Sequence, residues 1–372
     1  MRATRAIIHL EHFKKNLEAI RQKIGPHPFI CLPVKADAYG HGAVRIAIAA
    51  LQMGVKYLAV ASVQEGIELR QAGIVAPILL FSLPIPEEIP DLVRYRLTPL
   101  VSDGEFCDEF ARHVATTGEC RPVHLKIDTG MGRIGCQTQE APSLVQRIHA
   151  TGVLRLEGTA THFAVADSLL PEDIQYTQKQ IRAFKEAIER IRDRGYDPGI
   201  LHAANSGAVV LHEESYFDMV RPGLLAYGYP PIKERAGSVP VRPVMELQSR
   251  VVFIKRVPRG TSISYGRTWQ APQDTTIITI PVGYADGLVR GLSGKFSVFI
   301  QGALYPQVGR ICMDQCMVDV GPMATIQRWD VVSLFGGPPP CPNAADLAEQ
   351  LGTIPYEITC GINKRVPRVY VE

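Results

Sequence analysis

Reactive and charged residues lie at, or shortly after, the ends of short apolar runs in this sequence. They are a lysine, two arginines, a histidine and an Asn-Ser pair: Lys35, Arg133, His162, Asn205, Ser206 and Arg221. A lysine amine is a nucleophile when it is deprotonated, and an arginine binds a carboxylate or phosphate with a rigid pair of donors. Small residues and amide groups before a helix form an anion site. Together these residue types indicate a lysine nucleophile beside a phosphate-binding loop.

This combination suggests a Schiff base between Lys35 and pyridoxal phosphate. No carboxylate in the set is placed to pair with the pyridine nitrogen of that cofactor, and Arg221 is the polar group available instead. An arginine stays protonated, so it donates a hydrogen bond to the nitrogen without accepting its proton. The nitrogen then remains uncharged, which weakens the cofactor as an electron sink and favours a reaction that needs only a brief carbanion.

The elements that must position these residues alternate between apolar runs and helix-like segments. The apolar runs predict eight strands, at 29–34, 57–62, 77–82, 97–102, 123–128, 156–163, 200–205 and 217–222. Helical spacing predicts helices at 11–24, 42–53, 63–72, 103–115, 139–151, 173–194 and 206–213. Apolar strands alternating with helices are typical of a parallel sheet covered on both faces. Eight units favour an α/β fold of the (β/α)8 TIM-type barrel class over an open doubly wound sheet, whose G-x-G-x-x-G signature is missing.

The sequence changes character after the eighth predicted strand. Short β-rich segments separated by Gly and Pro turns follow, and helical spacing returns only near 343–351. We therefore predict a barrel domain that binds the cofactor over residues 11–235 and a mostly β C-terminal domain over residues 236–372. Residues 1–10 contain a strand-like run, which we expect to join the second domain.

The composition is that of a folded globular protein without a strong charge bias. Of 372 residues, 46% are hydrophobic and 21% are charged, and Lys plus Arg exceed Asp plus Glu by 40 − 37, or +3. This balance gives no electrostatic reason to predict nucleic acid or an anionic membrane as a partner. No run reaches the ~18 apolar residues that span a bilayer, and the N-terminus lacks the pattern of a signal peptide. The eight cysteines form no zinc pattern, so we predict reduced thiols, no metal and a cytoplasmic location.

Eight stretches, in order and in both predicted domains, resemble those of the alanine racemase family. They are VKADAYGHG (34–42), DTGMGRIG (128–135), THFA (161–164), HAANSGA (202–208), RPGLLAYG (221–228), SYGRTW (264–269), PVGYADG (281–287) and GRICMDQ (309–315). The resemblance covers essentially the whole length and implies a pyridoxal-phosphate enzyme with a (β/α)8 barrel and a β domain. It also implies a homodimer that interconverts L-alanine and D-alanine and supplies D-alanine for peptidoglycan.

The resemblance implies a role for each matching residue. Lys35 would hold the cofactor and serve as one base, and Tyr265, from the partner subunit, would serve as the other. The further cofactor contacts would be Tyr39, His162, Asn205, Ser206, Arg221, Gly223, Leu224 and Tyr356. Arg133 and the backbone N–H of Met313 would bind the substrate carboxylate. The supporting residues would be Lys126, Tyr284, Cys312 and Asp314, of which the lysine is carbamylated in some members of the family.

Racemisation requires two bases because a proton leaves one face of Cα and returns to the other. A tyrosine serves as a base only where neighbouring cations favour its phenolate, and Arg133, with Arg221 acting through His162, would supply that field. Two alternatives remain open: a pyridoxal-phosphate decarboxylase of the same fold type, and a non-enzymatic protein that binds the cofactor. The decarboxylase would need a carboxylate at the pyridine nitrogen, and the binding protein would lack the second domain.

Overall fold

The structure is a computed structural model that describes residues 2–323 and 325–372, and it divides into two compact units. One unit comprises Lys14–Ala38 and Ala43–Val241, and the other comprises residues up to Phe13, Tyr39–Gly42 and Arg242–Glu372. The C-terminal part of the second unit thus begins at Arg242, whereas the sequence predicts the boundary after residue 235. Among the described residues, none of the helices combines the length and the apolar composition needed to span a bilayer.

The first unit contains eight parallel strands, and the predicted (β/α)8 barrel is confirmed. With β1 (Arg5–His9) in the other unit, the barrel strands are β2 (Phe29–Pro33), β3 (Tyr57–Val60), β4 (Ile78–Leu80), β5 (Thr98–Val101), β6 (Arg121–Lys126), β7 (Leu154–Ala160), β8 (Ile200–His202) and β9 (Met219–Val220). Neighbours in the order β9-β2-β3-β4-β5-β6-β7-β8 are hydrogen-bonded, so the sheet is a nearly closed barrel. Every predicted apolar run overlaps one of these strands, because central strands such as β4 and β5 are buried along their whole length.

One helix precedes the barrel strands, and further helices follow most of them. They are α1 (Leu10–Ile24), α2 (Lys35–Tyr39), α3 (Ala43–Gln52), α4 (Val63–Gln71), α5 (Ile89–Arg94), α6 (Gly104–Ala115), α7 (Ala141–Ala150), α8 (Pro171–Asp193), α9 (Ser206–Leu211) and α10 (Gly223–Ala226). Side chains of Ser62 and Asp103 accept backbone N–H groups at the starts of α4 and α6, as is typical of N-caps. The sequence did not predict α5, because its six residues make fewer than two turns and include a proline.

The second unit is mostly β, as the sequence predicted. Its further strands are β10 (Met245–Arg250), β11 (Phe253–Val257), β12 (Ser262–Ile263), β13 (Trp269–Gln270), β14 (Thr275–Ile280), β15 (Ser297–Ile300), β16 (Ala303–Val308), β17 (Cys316–Asp319), β18 (Val331–Phe335) and β19 (Arg368–Val371). Nine strands form one sheet in the order β11-β14-β17-β16-β15-β18-β10-β1-β19, where β1 is antiparallel to β10 and parallel to β19. The helices are α11 (Ala344–Leu351), which was predicted, and α12 (Pro355–Cys360), which was too short to be recognised.

Candidate active site

Arg221 is hydrogen-bonded to the residues that follow two neighbouring barrel strands. It comes directly after β9 and is buried. Its Nη2 donates to the carbonyls of Thr161 (2.7 Å) and Ala203 (2.9 Å) and to Nδ1 of His162 (3.2 Å), and its Nη1 donates to Nδ1 of His202 (2.8 Å). The C-terminal ends of β7, β8 and β9 are therefore joined through one guanidinium.

The guanidinium of Arg221 keeps a donor for a further partner. Within the described part of the chain, its hydrogen bonds all come from Nη1 and Nη2, and none of its acceptors is a carboxylate. Burial, with a smaller contribution from the charge of Arg133, lowers the pKa of Arg221 to about 10 against an opposing effect of Cys31. The group is thus protonated at neutral pH, and its Nε–H is available to an acceptor such as a ring nitrogen.

Four cations surround His162 at this end of the barrel. Burial lowers the pKa of His162 well below its ordinary value, and the charges of Arg221, Lys126, Arg133 and Lys35 act in the same direction. The imidazole is therefore neutral, as its Nδ1 must be to accept from Arg221. The structure brings these predicted site residues together, and their joint positive charge suits an anionic ligand.

The backbone directly after Lys35 is left-handed. Residues 36–39 have φ values between 51° and 55°, so α2 is a single left-handed turn. Such a conformation costs L-residues roughly 1–2 kcal/mol each, and strain of this kind concentrates at functional sites. The carboxylate of Glu65 accepts the backbone N–H of Ala36 at 2.6 Å and so helps to hold the turn. Glu65 was not identified from the sequence. Its position three residues after the N-cap Ser62 is typical of a capping box and could have drawn attention to it.

Lys126 ends β6 and is buried beside these cations. Its Nζ donates to the carbonyl of Ile127 at 3.2 Å. Burial lowers the pKa of Lys126 to about 7, and the charge of Arg221 contributes in the same direction. A large fraction of this amine is therefore neutral and nucleophilic at neutral pH.

The glycine-rich loop before Arg133 folds around the carboxylate of Asp128. Its Oδ1 accepts the N–H groups of Gly130 and Met131, both at 2.9 Å, and its Oδ2 accepts that of Gly132 at 3.0 Å. Burial acts to raise the pKa of Asp128, but these three backbone donors and Lys126 outweigh it, and the pKa is lowered. Sequence reasoning did not single out Asp128, although an Asp before glycines is a common turn signal.

A buried glutamine connects two of the loops at the barrel mouth. Gln180 on α8 accepts the N–H of Ala164 at 3.1 Å and donates to the carbonyl of His162, also at 3.1 Å. It lies 3.4 Å from Oγ1 of Thr129, which in turn lies 2.7 Å from Oγ1 of Thr161. This amide therefore fixes the loops after β6 and β7 relative to each other. In the sequence, Gln180 is visible only as a polar residue on the core-facing side of a helix.

Asn205 and Ser206 begin the short helix α9. The Oδ1 of Asn205 accepts the N–H of Ala208 at 3.0 Å, and the buried hydroxyl of Ser206 accepts the N–H of Leu225 at 3.3 Å. In the adjoining segment, Gly223 donates its N–H to the carbonyl of Arg221 at 3.1 Å, and Leu224 is buried. The starts of α9 and α10 are thus packed together, beside the guanidinium described above.

Tyr39 and Tyr356 are neighbours within the second unit. Their ring centroids lie 5.4 Å apart, with the ring planes inclined at 39°. The adjoining backbone is fixed by Arg368, whose Nε donates to the carbonyl of Gly40 at 3.0 Å. The two tyrosines that the resemblance implies as cofactor contacts therefore lie side by side, although they come from distant parts of the chain.

The remaining predicted residues lie together on the surface of the second unit. Three large side chains are exposed there, and we call them the exposed patch: Tyr265 (69%), Met313 (53%) and Tyr284 (41%). The N–H of Tyr284 donates to the carbonyl of Cys312 at 3.1 Å. A Cβ at Gly283 would lie 2.3 Å from that carbonyl oxygen, so only glycine permits the contact. Asp314 accepts a hydrogen bond from Arg365 at 2.5 Å.

Comparison with known proteins gives a consistent result for both units. The family model for the alanine racemase N-terminal domain matches residues 8–231, and that for the alanine racemase C-terminal domain matches residues 244–370. An alanine racemase of Treponema denticola is 52% identical over 100% of this chain and 99% of its own length. One of Treponema pallidum is 48% identical over 100% of both chains.

Solved structures agree with the sequence relatives. The alanine racemase of Clostridium difficile superposes with a TM-score of 0.93 at 39% identity, over 100% of this chain and 96% of that one. The alanine racemase of Streptomyces coelicolor superposes with a TM-score of 0.94 at 36% identity, over 100% and 98% of the two chains. The similarity thus spans both units and every stretch that contains a predicted site residue.

Proposed function

Because the chain belongs to the alanine racemase family, we propose that it interconverts L-alanine and D-alanine with pyridoxal phosphate, using Lys35 and Tyr265 of the partner subunit as the two bases. The observation that carries this proposal is the bonding of Arg221, a buried, protonated arginine with carbonyl and imidazole acceptors and a free Nε–H. Such a group can donate to a pyridine nitrogen but leaves it uncharged. That property suits a reaction in which Cα loses its proton only briefly.

The residues at the barrel mouth fit an anionic, phosphorylated cofactor. Lys35, Arg133 and Arg221 supply positive charge, and Asn205 and Ser206 present the first turn of α9. We propose that Lys35 and Arg221 hold the ring, and that Ser206 and the backbone at Asn205, Gly223 and Leu224 hold the phosphate. His162 would connect Arg221 to the second base. Tyr39 and Tyr356 remain the proposed tyrosine contacts to the phosphate. When bound, pyridoxal phosphate supplies an electron sink for the carbanion at Cα.

The substrate carboxylate would be bound by a guanidinium and a backbone donor. We propose Arg133 for the first role, since the hydrogen bonds to Asp128 fix the loop that presents it. Met313 would supply its N–H, with Tyr284, Cys312 and Asp314 shaping the entrance. The exposure of Tyr265, Tyr284 and Met313 supports an interface, because monomers rarely expose large side chains together. We propose a homodimer with shared sites on this basis.

The alternative of decarboxylation is disfavoured by the same arginine. A decarboxylase of this fold type would place a carboxylate at the pyridine nitrogen, and the described acceptors of Arg221 include none. A cofactor-binding protein without activity would lack the second unit, which the C-terminal family model matches over residues 244–370. We place the enzyme in the cytoplasm, where D-alanine would be consumed by peptidoglycan synthesis.

One assay separates the three functions. The purified protein loaded with pyridoxal phosphate is incubated with L-alanine, and both alanine enantiomers and carbon dioxide are measured over time. We expect D-alanine to accumulate until the enantiomers are nearly equal, because they have the same free energy. Release of carbon dioxide would instead establish a decarboxylase, and an unchanged substrate would leave only cofactor binding.

We further predict that Lys126 is carbamylated. Its neutral amine would attack carbon dioxide, forming an N–C bond and releasing one proton. The resulting anion would lie near Arg221 and Arg133, whose charges add to the effect of burial in lowering the pKa of Lys126 to about 7. Protein exchanged into buffer with ¹³C-labelled bicarbonate should show a carbamate resonance that the Lys126→Met variant lacks. The Lys179→Met variant, altered at an exposed lysine, is the control and should keep the resonance. Absence of the signal from the unaltered protein would contradict the prediction.

A further inference from the structure

A chain of hydrogen bonds runs through the barrel interior from the buried Arg221 to a glutamate at its far end. Arg221 Nη1 lies 2.8 Å from His202 Nδ1, His202 Nε2 lies 2.8 Å from His124 Nδ1, and His124 Nε2 lies 3.4 Å from Glu157 Oε2. Both imidazoles are fully buried. We call these four residues the histidine column. Neither His124 nor Glu157 belongs to the site residues identified above.

The register of three strands creates the column. His124 on β6 pairs with Gly158 on β7, and His202 on β8 pairs with Ala160 on β7. The two imidazoles therefore meet in a T-shaped arrangement, with centroids 5.0 Å apart. A Cβ at Gly158 would lie only 2.6 Å from Nδ1 and Cε1 of His124. Glycine at this position is what leaves room for the imidazole.

The direction of every hydrogen bond in the column follows from Arg221. An arginine only donates, so Nδ1 of His202 must accept and its proton must lie on Nε2. That Nε2–H donates to Nδ1 of His124, which places the proton of His124 on Nε2, directed to the carboxylate of Glu157. The same argument fixes the tautomer of His162, because its Nδ1 accepts a hydrogen bond from Arg221 and its proton must therefore lie on Nε2. A single cation thus sets the tautomers of three imidazoles.

The charges in the column are separated at its two ends. Burial and then the charge of Arg221 lower the pKa of His202, and burial lowers that of His124, so both imidazoles are neutral. The hydrogen bond from His124 lowers the pKa of Glu157 to about 2, outweighing the opposite effect of burial. Arg155 also donates to Glu157, at 2.9 Å. The column therefore joins a guanidinium to a carboxylate through two neutral imidazoles.

The carboxylate end of the column is accessible from the opposite end of the barrel. Glu157 lines an open cavity of about 530 Å³ whose other walls include Pro77, Thr98 and Arg121, at or just before the starts of β4, β5 and β6. Tyr57 packs its ring against His124 nearby, and Glu157 contributes to raising the pKa of this tyrosine to about 12, after burial. Glu157 thus borders an open cavity, and the hydrogen bonds from His124 and Arg155 favour its ionised form.

We infer that Glu157 and His124 are positioning residues for Arg221. They hold His202 as an acceptor and supply a fixed negative charge along the column, so that the guanidinium keeps its charge and orientation while buried. The inference rests on the proposed function in one respect only, namely that the Nε–H of the fixed Arg221 donates a hydrogen bond to the pyridine nitrogen. The tautomers of the column are a property of the protein itself and are measured separately.

The first test is NMR of the full-length protein labelled with ¹⁵N-histidine. We expect His124, His162 and His202 each to show a protonated Nε2 and an unprotonated Nδ1, with no titration from about pH 6 to about pH 8, where an ordinary histidine titrates. The Glu157→Gln variant, which keeps an oxygen acceptor but loses the charge, should shift the resonances of His124 and of His202, two hydrogen bonds away. The Glu172→Gln variant, altered at an exposed residue, should shift neither.

The second test is the effect on turnover. In the Glu157→Gln variant we expect kcat to fall about tenfold with little change in KM for alanine, since outer partners of a reactive group commonly contribute this much. In the Gly158→Ala variant, whose added methyl group displaces His124, we expect kcat to fall about 10²-fold. This is the typical effect of displacing a positioned group by about 1 Å. The Glu172→Gln variant should match the unaltered enzyme. Circular dichroism verifies that each variant is folded.

The outcomes separate the inference from the proposed function. A proton on Nδ1 of His202, or an imidazole of the column that titrates near neutral pH, would contradict the proposed tautomers and hydrogen-bond directions of the column. That conclusion would hold whatever reaction the enzyme catalyses. The expected NMR pattern together with normal kcat in Glu157→Gln would overturn the positioning role. If the unaltered enzyme racemised no alanine, the proposed function would fail, and the NMR spectra would still decide the tautomers.

Discussion

Replacement of Lys35 by alanine is expected to lower racemisation by about 10⁴-fold or more, because one side chain serves both as the covalent attachment and as one of two bases. The lysine lies at the C-terminal end of β2, close enough to His162 for its charge to affect that imidazole. The variant should also lose the visible absorbance of covalently held pyridoxal phosphate. Activity is measured by the formation of D-alanine from L-alanine, and cofactor attachment by absorbance after gel filtration.

A matched variant separates the specific role of Lys35 from the general effect of removing one lysine from the protein. Lys179 is exposed on α8, and Lys179→Ala should keep both the absorbance and the activity. Circular dichroism should be the same for all three proteins, since the left-handed turn begins at residue 36 and is held by Glu65. A Lys35→Ala protein that retained the absorbance and normal turnover would exclude Lys35 from the chemistry.

The barrel could be predicted from the sequence because its strands are buried on both faces. Runs such as 77–82 and 97–102 are apolar without alternation, and they coincide with β4 and β5. The short helices α5 and α12 could not be predicted, since six residues are too few to show a helical period. Nor could the left-handed turn at 36–39, because Ala, Asp and Tyr rarely adopt positive φ and give no signal for it.

Site residues at the ends of strands could be predicted from the sequence, whereas those inside strands could not. Lys35 stands directly after an apolar run, and Arg221 lies at the end of another, where a barrel collects its functional groups. His124 and Glu157 lie inside strands, and a histidine within an apolar run is most simply interpreted as part of the core. Their contact with one another, and with His202, depends on the register of β6, β7 and β8. Register is set by the packed sheet and is not visible in one run of sequence.

The exposed patch indicates where Tyr265 acts. Its side chain is 69% exposed in the single chain, and that of Met313 is 53% exposed. A base that works beside a carbanion needs water excluded, which this exposure does not provide. Closure of the patch by a second copy would exclude water, and a two-fold dimer would form two equal sites with one interface.

Complementation between two inactive variants tests this arrangement. Lys35→Ala and Tyr265→Ala are expected to be nearly inactive when each is refolded alone. When they are unfolded, mixed in equal amounts and refolded together, half of the dimers contain one chain of each kind. In such a dimer one site has both defects, and the other combines an intact Lys35 with an intact Tyr265 from its partner. Activity should return to about a quarter of the unaltered level, which is one site in half of the dimers.

The reverse mixture supplies the control. A chain that carries both Lys35→Ala and Tyr265→Ala is refolded with an equal amount of unaltered chain. If each site takes its two bases from different chains, every site of a mixed dimer has one defect, and activity falls to about a quarter. If each site took both bases from one chain, about half of the activity would remain, and the first mixture would recover none. The two mixtures therefore respond in opposite ways to the two arrangements, and a general failure to refold cannot imitate either pattern.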